Sequence, residues 1–413
     1  MWQSVKISDI ATILTGNTPS TKNEAFYGGL IPFIKPPDLT NDEIISSSNF
    51  LTEQGRKKSR TAPKHSTLVC CIGSIGKTGY TTQEVAFNQQ INAVIPNKDI
   101  NSQFVFYFTQ TEKFQNELIA KSNVTTLPII NKSTFSELYL SLPTRQEQDN
   151  IAIILTNLKQ KIKSVNKKIE LYKQLKQSLI EKLFMEGLYR ENKKSTELGD
   201  LPNSWEVENF EKLKIELIDG DRSSNYPSGD DVLSTGNIIF LSTKNIEKER
   251  FVFQDKRFIS EEKYKKLRKG QLQEGDIVIT VRGTLGNVAL FKDLEYKKGF
   301  INAQMLIIRN LSEFIDTEYL AFYLTTPIFQ QQIIANRSGS AQYQIPKGTL
   351  SKLLLLIPPK KEQREITNIL RICNQKILNL ETQIKKTTKL FNSLLSQLMN
   401  NEIDVSNLEL ENA

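Results

Sequence analysis

Apolar residues recur at alternating spacings of four and three along two stretches of the chain. The first reads Ile151, Leu155, Leu158, Ile162, Val165, Ile169, Tyr172, Lys176, Leu179, Leu183; the second reads Ile366, Leu370, Cys373, Ile377, Leu380, Ile384, Thr387, Phe391, Leu394, Leu398. Only Lys176 and Thr387 interrupt the seams. A period of 3.5 sustained over several heptads predicts coiled-coil packing rather than a generic amphipathic helix. Thr144 and Glu147 have the S/T-x-x-E spacing of a capping box at the first start, whereas Pro359 stands near the first turn of the second. Each helix, at about 33 residues, would be roughly 50 Å long. Two matching seams in one chain allow the helices to pack on each other as a rigid spacer.

Outside the seams the apolar runs are short and bounded by turn residues. Val5 to Leu14 suits a short helix or strand and ends at the turn Gly16-Asn17-Thr18-Pro19. Ile31-Pro32-Phe33-Ile34 and Leu68-Val69-Cys70-Cys71-Ile72 read as buried strands, the latter running into Gly73-Ser74-Ile75-Gly76. The second half repeats the pattern with Ile238-Ile239-Phe240-Leu241 and with Ile277-Val278-Ile279 running into Gly283-Thr284-Leu285-Gly286. Phe87-Asn88-Gln89-Gln90-Ile91 answers to Ile301-Asn302-Ala303-Gln304-Met305, and an aromatic-rich helix is expected after each. Leu142-Pro143-Thr144-Arg145-Gln146-Glu147-Gln148 returns about 215 residues later as Ile357-Pro358-Pro359-Lys360-Lys361-Glu362-Gln363. That interval is far longer than a solenoid repeat of roughly 20 to 50 residues, so the chain reads as two homologous modules, each α/β or α+β with a long helix attached.

Composition changes this picture little. No apolar stretch approaches the roughly 18 residues of a membrane helix, and the first residues open no signal peptide, so a cytoplasmic protein without membrane contact is expected. Cys70, Cys71 and Cys373 read as buried small residues rather than a disulfide or zinc framework. The net charge of +8 favours a polyanionic partner, yet residues 1–142 carry 13 basic and 11 acidic groups and residues 200–350 carry 20 and 21. Local clusters say more. Arg56, Lys57, Lys58 and Arg60 with Lys64 in the first module, and Lys263, Lys265, Lys266, Arg268 and Lys269 in the second, are placed to meet phosphates. The alternative is a solvated surface.

Catalytic chemistry is poorly represented. Gly73-Ser74-Ile75-Gly76-Lys77-Thr78 ends like a phosphate-binding loop, but Cys71 stands where that motif needs glycine, and the repeat partner lacks the lysine. Lys35-Pro36-Pro37-Asp38 lacks the amine-accepting residue of an amino-methyltransferase loop. A single histidine, His65, offers neither a histidine-based triad nor a histidine metal cluster, and a phosphate contact or plain surface role suits it better. Phe106, Tyr107, Phe322 and Tyr323 read as core rather than base-stacking groups.

Two modules, each ending in Leu/Ile-Pro-x-x-x-Glu-Gln and a heptad helix, with Glu197-Leu198-Gly199-Asp200-Leu201-Pro202-Asn203-Ser204-Trp205 opening the second, resemble the specificity subunit of type I restriction-modification systems. The Gly-Thr/Ser-x-Gly turns and Gly16-Asn17-Thr18-Pro19 add to that resemblance. It implies target recognition domains at 1–142 and, with a linker, at 188–357, and two antiparallel spacer helices at 143–187 and 358–413, the last including the tail. Each domain would read half of a split sequence in double-stranded DNA. Methyltransferase subunits using S-adenosylmethionine would dock on this chain, and restriction subunits using ATP and magnesium would join the complex. The chain itself would hold no cofactor, no metal and no catalytic residue. Gly339-Ser340-Ala341-Gln342-Tyr343-Gln344-Ile345-Pro346-Lys347 resembles the family's loop before the conserved helix, which makes Arg337, Ser340, Gln342, Tyr343 and Lys347 DNA-facing candidates, with Arg282 beside the turn. In the first module Lys121, Thr125, Thr126 and Lys132 take those places, in a loop without the glycine or glutamine. A coiled-coil adaptor that never touches nucleic acid, or the specificity partner of a fused endonuclease-methyltransferase, are the alternatives.

Overall fold

The computed structural model describes residues 2–123, 127–247, 249–340 and 342–408. The chain divides into two units, residues 1–168 with 380–413, and residues 169–379.

Unit 1 is built on a sheet in the order Ala11–Thr15, Ile91–Pro96, Thr67–Cys70, Thr78–Thr81, Asp42–Ile44, antiparallel except for its last pair. A second sheet runs Phe50–Leu51, Tyr27–Ile34, Val85–Phe87, Thr61–Ala62, with Tyr27–Ile34 and Val85–Phe87 parallel. Leu68, Val69 and Cys70 are fully buried, which is why this strand reads as a continuous apolar run rather than an alternation. The helices Ser102–Phe108 and Glu112–Ala120 pack on the first sheet, each started by a side-chain cap, Asn101 and Thr111. Phe106 and Tyr107 are buried there, as core aromatics.

Unit 2 repeats this plan. One sheet runs Ile215–Asp219, Met305–Asn310, Asp276–Thr280, Val288–Phe291, and another runs Phe258–Ile259, Ile238–Leu241, Lys298–Ile301, Gln271–Leu272, again with one parallel pair. Helices Thr317–Tyr323 and Pro327–Ala335 take the places of the two helices above. Tyr323 is fully buried and Phe322 packs at the edge of the same core. Each unit closes on a two-stranded ribbon, Gln3–Lys6 with Tyr139–Leu142 and Glu206–Asn209 with Leu354–Ile357.

The long helices span Arg145–Glu186 and Lys360–Met399, 42 and 40 residues, longer than the seams alone predict. They continue past the last seam leucines to residues with left-handed backbone, Gly187 at φ +68° and Asn401 at φ +58°, the conformation that ends helices. In unit 1 the start of the first helix (Ile151, Leu155) shares a core with the end of the second (Phe391, Leu395, Leu398). In unit 2 the roles are exchanged, with Ile180, Leu183 and Phe184 beside Ile366 and Leu370. This exchange is what antiparallel helices require. The seam lysine, Lys176, is buried and pairs with Glu249 of its own unit, while Thr387 turns its hydroxyl onto Gln383 O at 2.9 Å.

The predicted capping box is present: Thr144 N donates to Glu147 Oε2 at 2.8 Å and Glu147 N to Thr144 Oγ1 at 3.3 Å. The Glu-Gln of both motifs locks strand to helix. Gln148 Nε2 donates to Pro143 O at 3.0 Å and Gln363 Nε2 to Pro358 O at 2.8 Å. Glu147 accepts from Trp2 Nε1 at 3.1 Å, and Glu362 from Trp205 Nε1 at 2.9 Å. All three cysteines are free and buried, and burial pushes the Cys71 thiol up to about 12. No helix among the described residues is long and apolar enough to cross a membrane.

Candidate nucleic-acid interface

The Gly-x-x-Gly turns sit at equivalent places and are held by the same bonds. Gly76 N donates to Cys70 O at 3.0 Å and Gly286 N to Thr280 O at 2.9 Å. All four glycines have φ between +78° and +87°, a region closed to most side chains. One glutamine clamps each turn onto its helix: Gln115 Nε2 donates to Gly76 O and Thr109 O at 2.9 and 2.6 Å, and Gln330 Nε2 to Gly286 O and Leu324 O at 2.9 and 2.6 Å. Neither glutamine was singled out by motif; their identical place in the two halves was the available signal.

A later loop returns to each turn. In unit 1 Gly73 N donates to Pro128 O and Ile130 N to Cys71 O, both at 3.0 Å. In unit 2 Gly283 N donates to Tyr343 O at 3.1 Å and Ile345 N to Val281 O at 3.0 Å. These bonds make an isolated antiparallel bridge, Ile72 with Ile129 and Arg282 with Gln344. Its flanking residues Cys71, Ile130, Val281 and Ile345 point into the core, so the bridge side chains point out, together, on one face. In unit 2 the loop tip is a hairpin in which Ser338 and Gln344 exchange backbone bonds of 2.8 and 2.9 Å. Gly339 (φ +93°) is required there, since a Cβ would lie 2.5 Å from Gln342 O.

The structure gathers one group of candidates and pairs part of another with acidic groups. Arg282, Arg337, Gln342, Tyr343 and Lys347 lie around the Gly283 turn: Arg337 stacks on the Tyr343 ring at 3.9 Å, Arg282 binds Gln344, and Ser340 and Lys347 are exposed. Gln344, inside the Gly339–Lys347 motif, is the partner of Arg282. In unit 1 Lys132 is exposed near the matching loop and Lys121 pairs with Glu117 at 2.9 Å. Thr125 and Thr126 lie outside the described residues. The basic clusters are partly spent. Arg56 binds Glu84 at 2.7 Å, which raises its pKa and lowers that of Glu84, and Arg60 donates to Thr15 O at 2.7 Å. Lys263 pairs with Asp231 at 2.8 Å and Lys266 with Glu262 at 2.6 Å, whereas the backbone amide of Arg268 donates to Asp221 at 2.8 Å. Lys57, Lys58, Lys64 and Lys265 are exposed with no acidic partner among the described residues. His65 is exposed and held by Tyr80 OH at 2.8 Å, and burial followed by the Lys64 charge lowers its pKa. No group of three or more His, Cys, Asp or Glu suited to a metal ion occurs among the described residues.

A duplicated α/β unit that presents an outward loop pair on a shared backbone frame, with a long helix attached to each copy, is the architecture of a two-site recognition protein. The model of the type I restriction modification DNA specificity domain matches residues 1–174 and again 208–390, and the chain belongs to that family. It is 25% identical over 417 residues to the type I restriction enzyme MjaIX specificity subunit of Methanocaldococcus jannaschii, covering 98% of this chain and 94% of that one. Among solved structures it is similar to the type I restriction-modification S subunit of M. genitalium, with TM-score 0.61, 14% identity and 96% of each chain covered. It is also similar to a chain solved in work on complex assembly and conformational transition of the type I R-M system, with TM-score 0.56, 15% identity, and 97% and 98% covered.

Proposed function

We propose that this chain is the DNA sequence-specificity subunit of a type I restriction-modification complex. Each unit reads one part of a two-part target in double-stranded DNA through the loop pair beside its Gly-x-x-Gly turn, and the paired long helices set the gap and dock methyltransferase subunits. The chain supplies the address; chemistry belongs to partner subunits in the cytoplasm, with S-adenosylmethionine used for methyl transfer and ATP with magnesium for restriction. The observation that carries this reading is the recognition frame built twice from the same backbone bonds and filled with different outward side chains. A protein with such pseudo-twofold duplication suits two separated half-sites, as symmetric DNA binders do.

The test is to co-express the chain with its genomic neighbours and map methylated adenines across the host genome. A motif in two parts with a constant gap is expected. A single continuous motif, or no new methylation with competent partners, overturns the reading.

A further inference from the structure

A cleft of about 250 Å³ opens in unit 2 beside the Gly283 turn, and Asp219, Arg222, Arg282, Gln344 and Lys347 are among its lining residues. Three of these are cations and one is a carboxylate. Arg282 commits Nε and Nη2 to Gln344 Oε1 at 3.2 and 2.8 Å, which fixes the plane of the guanidinium. Its Nη1 and the amide Nε2 of Gln344 have no partner among the described residues, so the free edge of this pair consists of donors. The Lys347 ammonium has no hydrogen-bond or ion-pair partner among the described residues either. Arg222 reaches Ala303 O at 3.3 Å and stands 3.8 Å from Asp219, which is also 3.8 Å from Lys269, so the lone carboxylate is shared between two cations. A donor-lined cleft with excess positive charge fits an oxyanion, and on DNA the recurrent oxyanion is the backbone phosphate.

Unit 1 lacks this arrangement. The bridge pair is Ile72 with Ile129, and Thr15 and Thr18 occupy the strand-end positions of Asp219 and Arg222. Of the three cations only Lys347 has a cationic counterpart, Lys132. We propose that the Arg222–Arg282–Lys347 cleft clamps a DNA backbone phosphate, a contact that unit 1, with Ile72 and Ile129 at the bridge, does not duplicate. This inference rests on the DNA-specificity reading. A guanine edge presents acceptors of the same kind and is the competing source.

The experiment uses the assembled complex with its methyltransferase partners, following duplex binding by fluorescence anisotropy from low to high salt, together with the methylated motif of each variant. Arg282→Ala and Lys347→Ala should each flatten the plot of log K against log salt by about 0.9 and weaken cognate and unrelated duplexes by the same factor. Arg282→Lys should keep most of the slope, and every motif should be unchanged. Ile72→Arg with Ile129→Gln, which installs the pair in unit 1, should steepen the slope by about 0.9. Relaxation of one base in the second half-site by Arg282→Ala would make the pair a base reader and overturn the clamp. Unchanged slopes in the alanine variants, or no steepening on installing the pair, would overturn it as well. A wild-type complex that binds duplex without salt dependence would instead sink the DNA-specificity reading itself, and the clamp with it.

Discussion

The bridge beside the glycine turn joins Ile72 to Ile129 in one unit and Arg282 to Gln344 in the other, yet the backbone bonds that hold it differ by no more than 0.1 Å (3.0 and 3.0 Å against 3.1 and 3.0 Å). The frame is made by main-chain amides, glycines and a half-buried glutamine, none of which depends on what the outward side chains are. The outward side chains can therefore change without disturbing the fold, and two copies can diverge in those side chains while agreeing in geometry. The same contrast appears at the strand-helix junctions. Glu362 is 1% exposed and accepts from both Trp205 Nε1 and Leu188 N, whereas Glu147 is partly solvated and accepts from Trp2 and its own cap.

That difference in burial gives the largest expected effect. Glu362→Ala leaves one buried and one half-buried donor unpaired and should cost about 3 kcal/mol, while Glu147→Ala loses an exposed cap and should cost about 1 kcal/mol. Each unit holds one of the two tryptophans, so urea unfolding followed by fluorescence in Trp2→Phe and Trp205→Phe backgrounds reports the units separately. Equal losses would show that the junctions are not distinguished by burial. Next come the turns, where the units should behave alike. A Cβ at Gly76 or Gly286 would lie 2.0 or 2.3 Å from the clamping glutamine oxygen, on a backbone of φ near +85°, so Gly→Ala at either place should cost about 2 kcal/mol. A loss confined to one unit breaks the claim of a common frame.

How much of this was legible in the sequence follows from where each interaction reaches. The seams were legible because a heptad pattern is local and its repetition is self-checking, and Lys176 and Thr387 were correctly placed within it. The outward pairing was not, because Arg282 and Gln344 are 62 residues apart and only the fold brings them together. The partners within the basic clusters were not legible for the same reason: a count of charges cannot see that Arg56 meets Glu84, 28 residues away, or that Lys263 meets Asp231. The Trp2 contact with Glu147 spans 145 residues and has no motif of its own, although Trp205 with Glu362 repeats it.

A smaller effect separates the units by pH. Asp221 and Asn17 hold the same crossing of loop and strand, Asp221 accepting from the Arg268 and Ser223 amides at 2.8 Å each, and Asn17 accepting from the Arg60 amide at 2.6 Å. Burial pushes the Asp221 carboxyl up, but the amide donors outweigh it and hold the carboxyl below its ordinary value. A depressed folded pKa stabilises above the unfolded value of about 4 and ceases to do so as pH falls through the folded value. Asp221→Asn should therefore cost about 1 kcal/mol at pH 7 and progressively less on acidification, whereas no such pH dependence should attach to Asn17→Ala. Chemical unfolding at pH 7 and pH 3 checks this, and a penalty for Asp221→Asn that grows in acid contradicts it.

The smallest effect concerns the two breaks in the seam. Thr387 in unit 1 is buried with its hydroxyl satisfied by Gln383 O of its own helix, so Thr387→Leu exchanges a local bond for apolar burial and should stabilise by about 0.5 kcal/mol. Lys176 in unit 2 is different, because its ammonium pairs with Glu249 and lies 5.8 Å from the Phe322 ring centroid. Lys176→Leu removes both contacts but also the burial of a charge, and the Glu249 side chain, 31% exposed, regains water. The two terms offset, and a change within about 0.5 kcal/mol of zero is expected. If Lys176→Leu instead cost as much as Glu362→Ala, the ion pair would be a principal tie between the helix and the Glu249 loop, and unit 2 would hold its spacer helix by charge where unit 1 holds it by apolar contact.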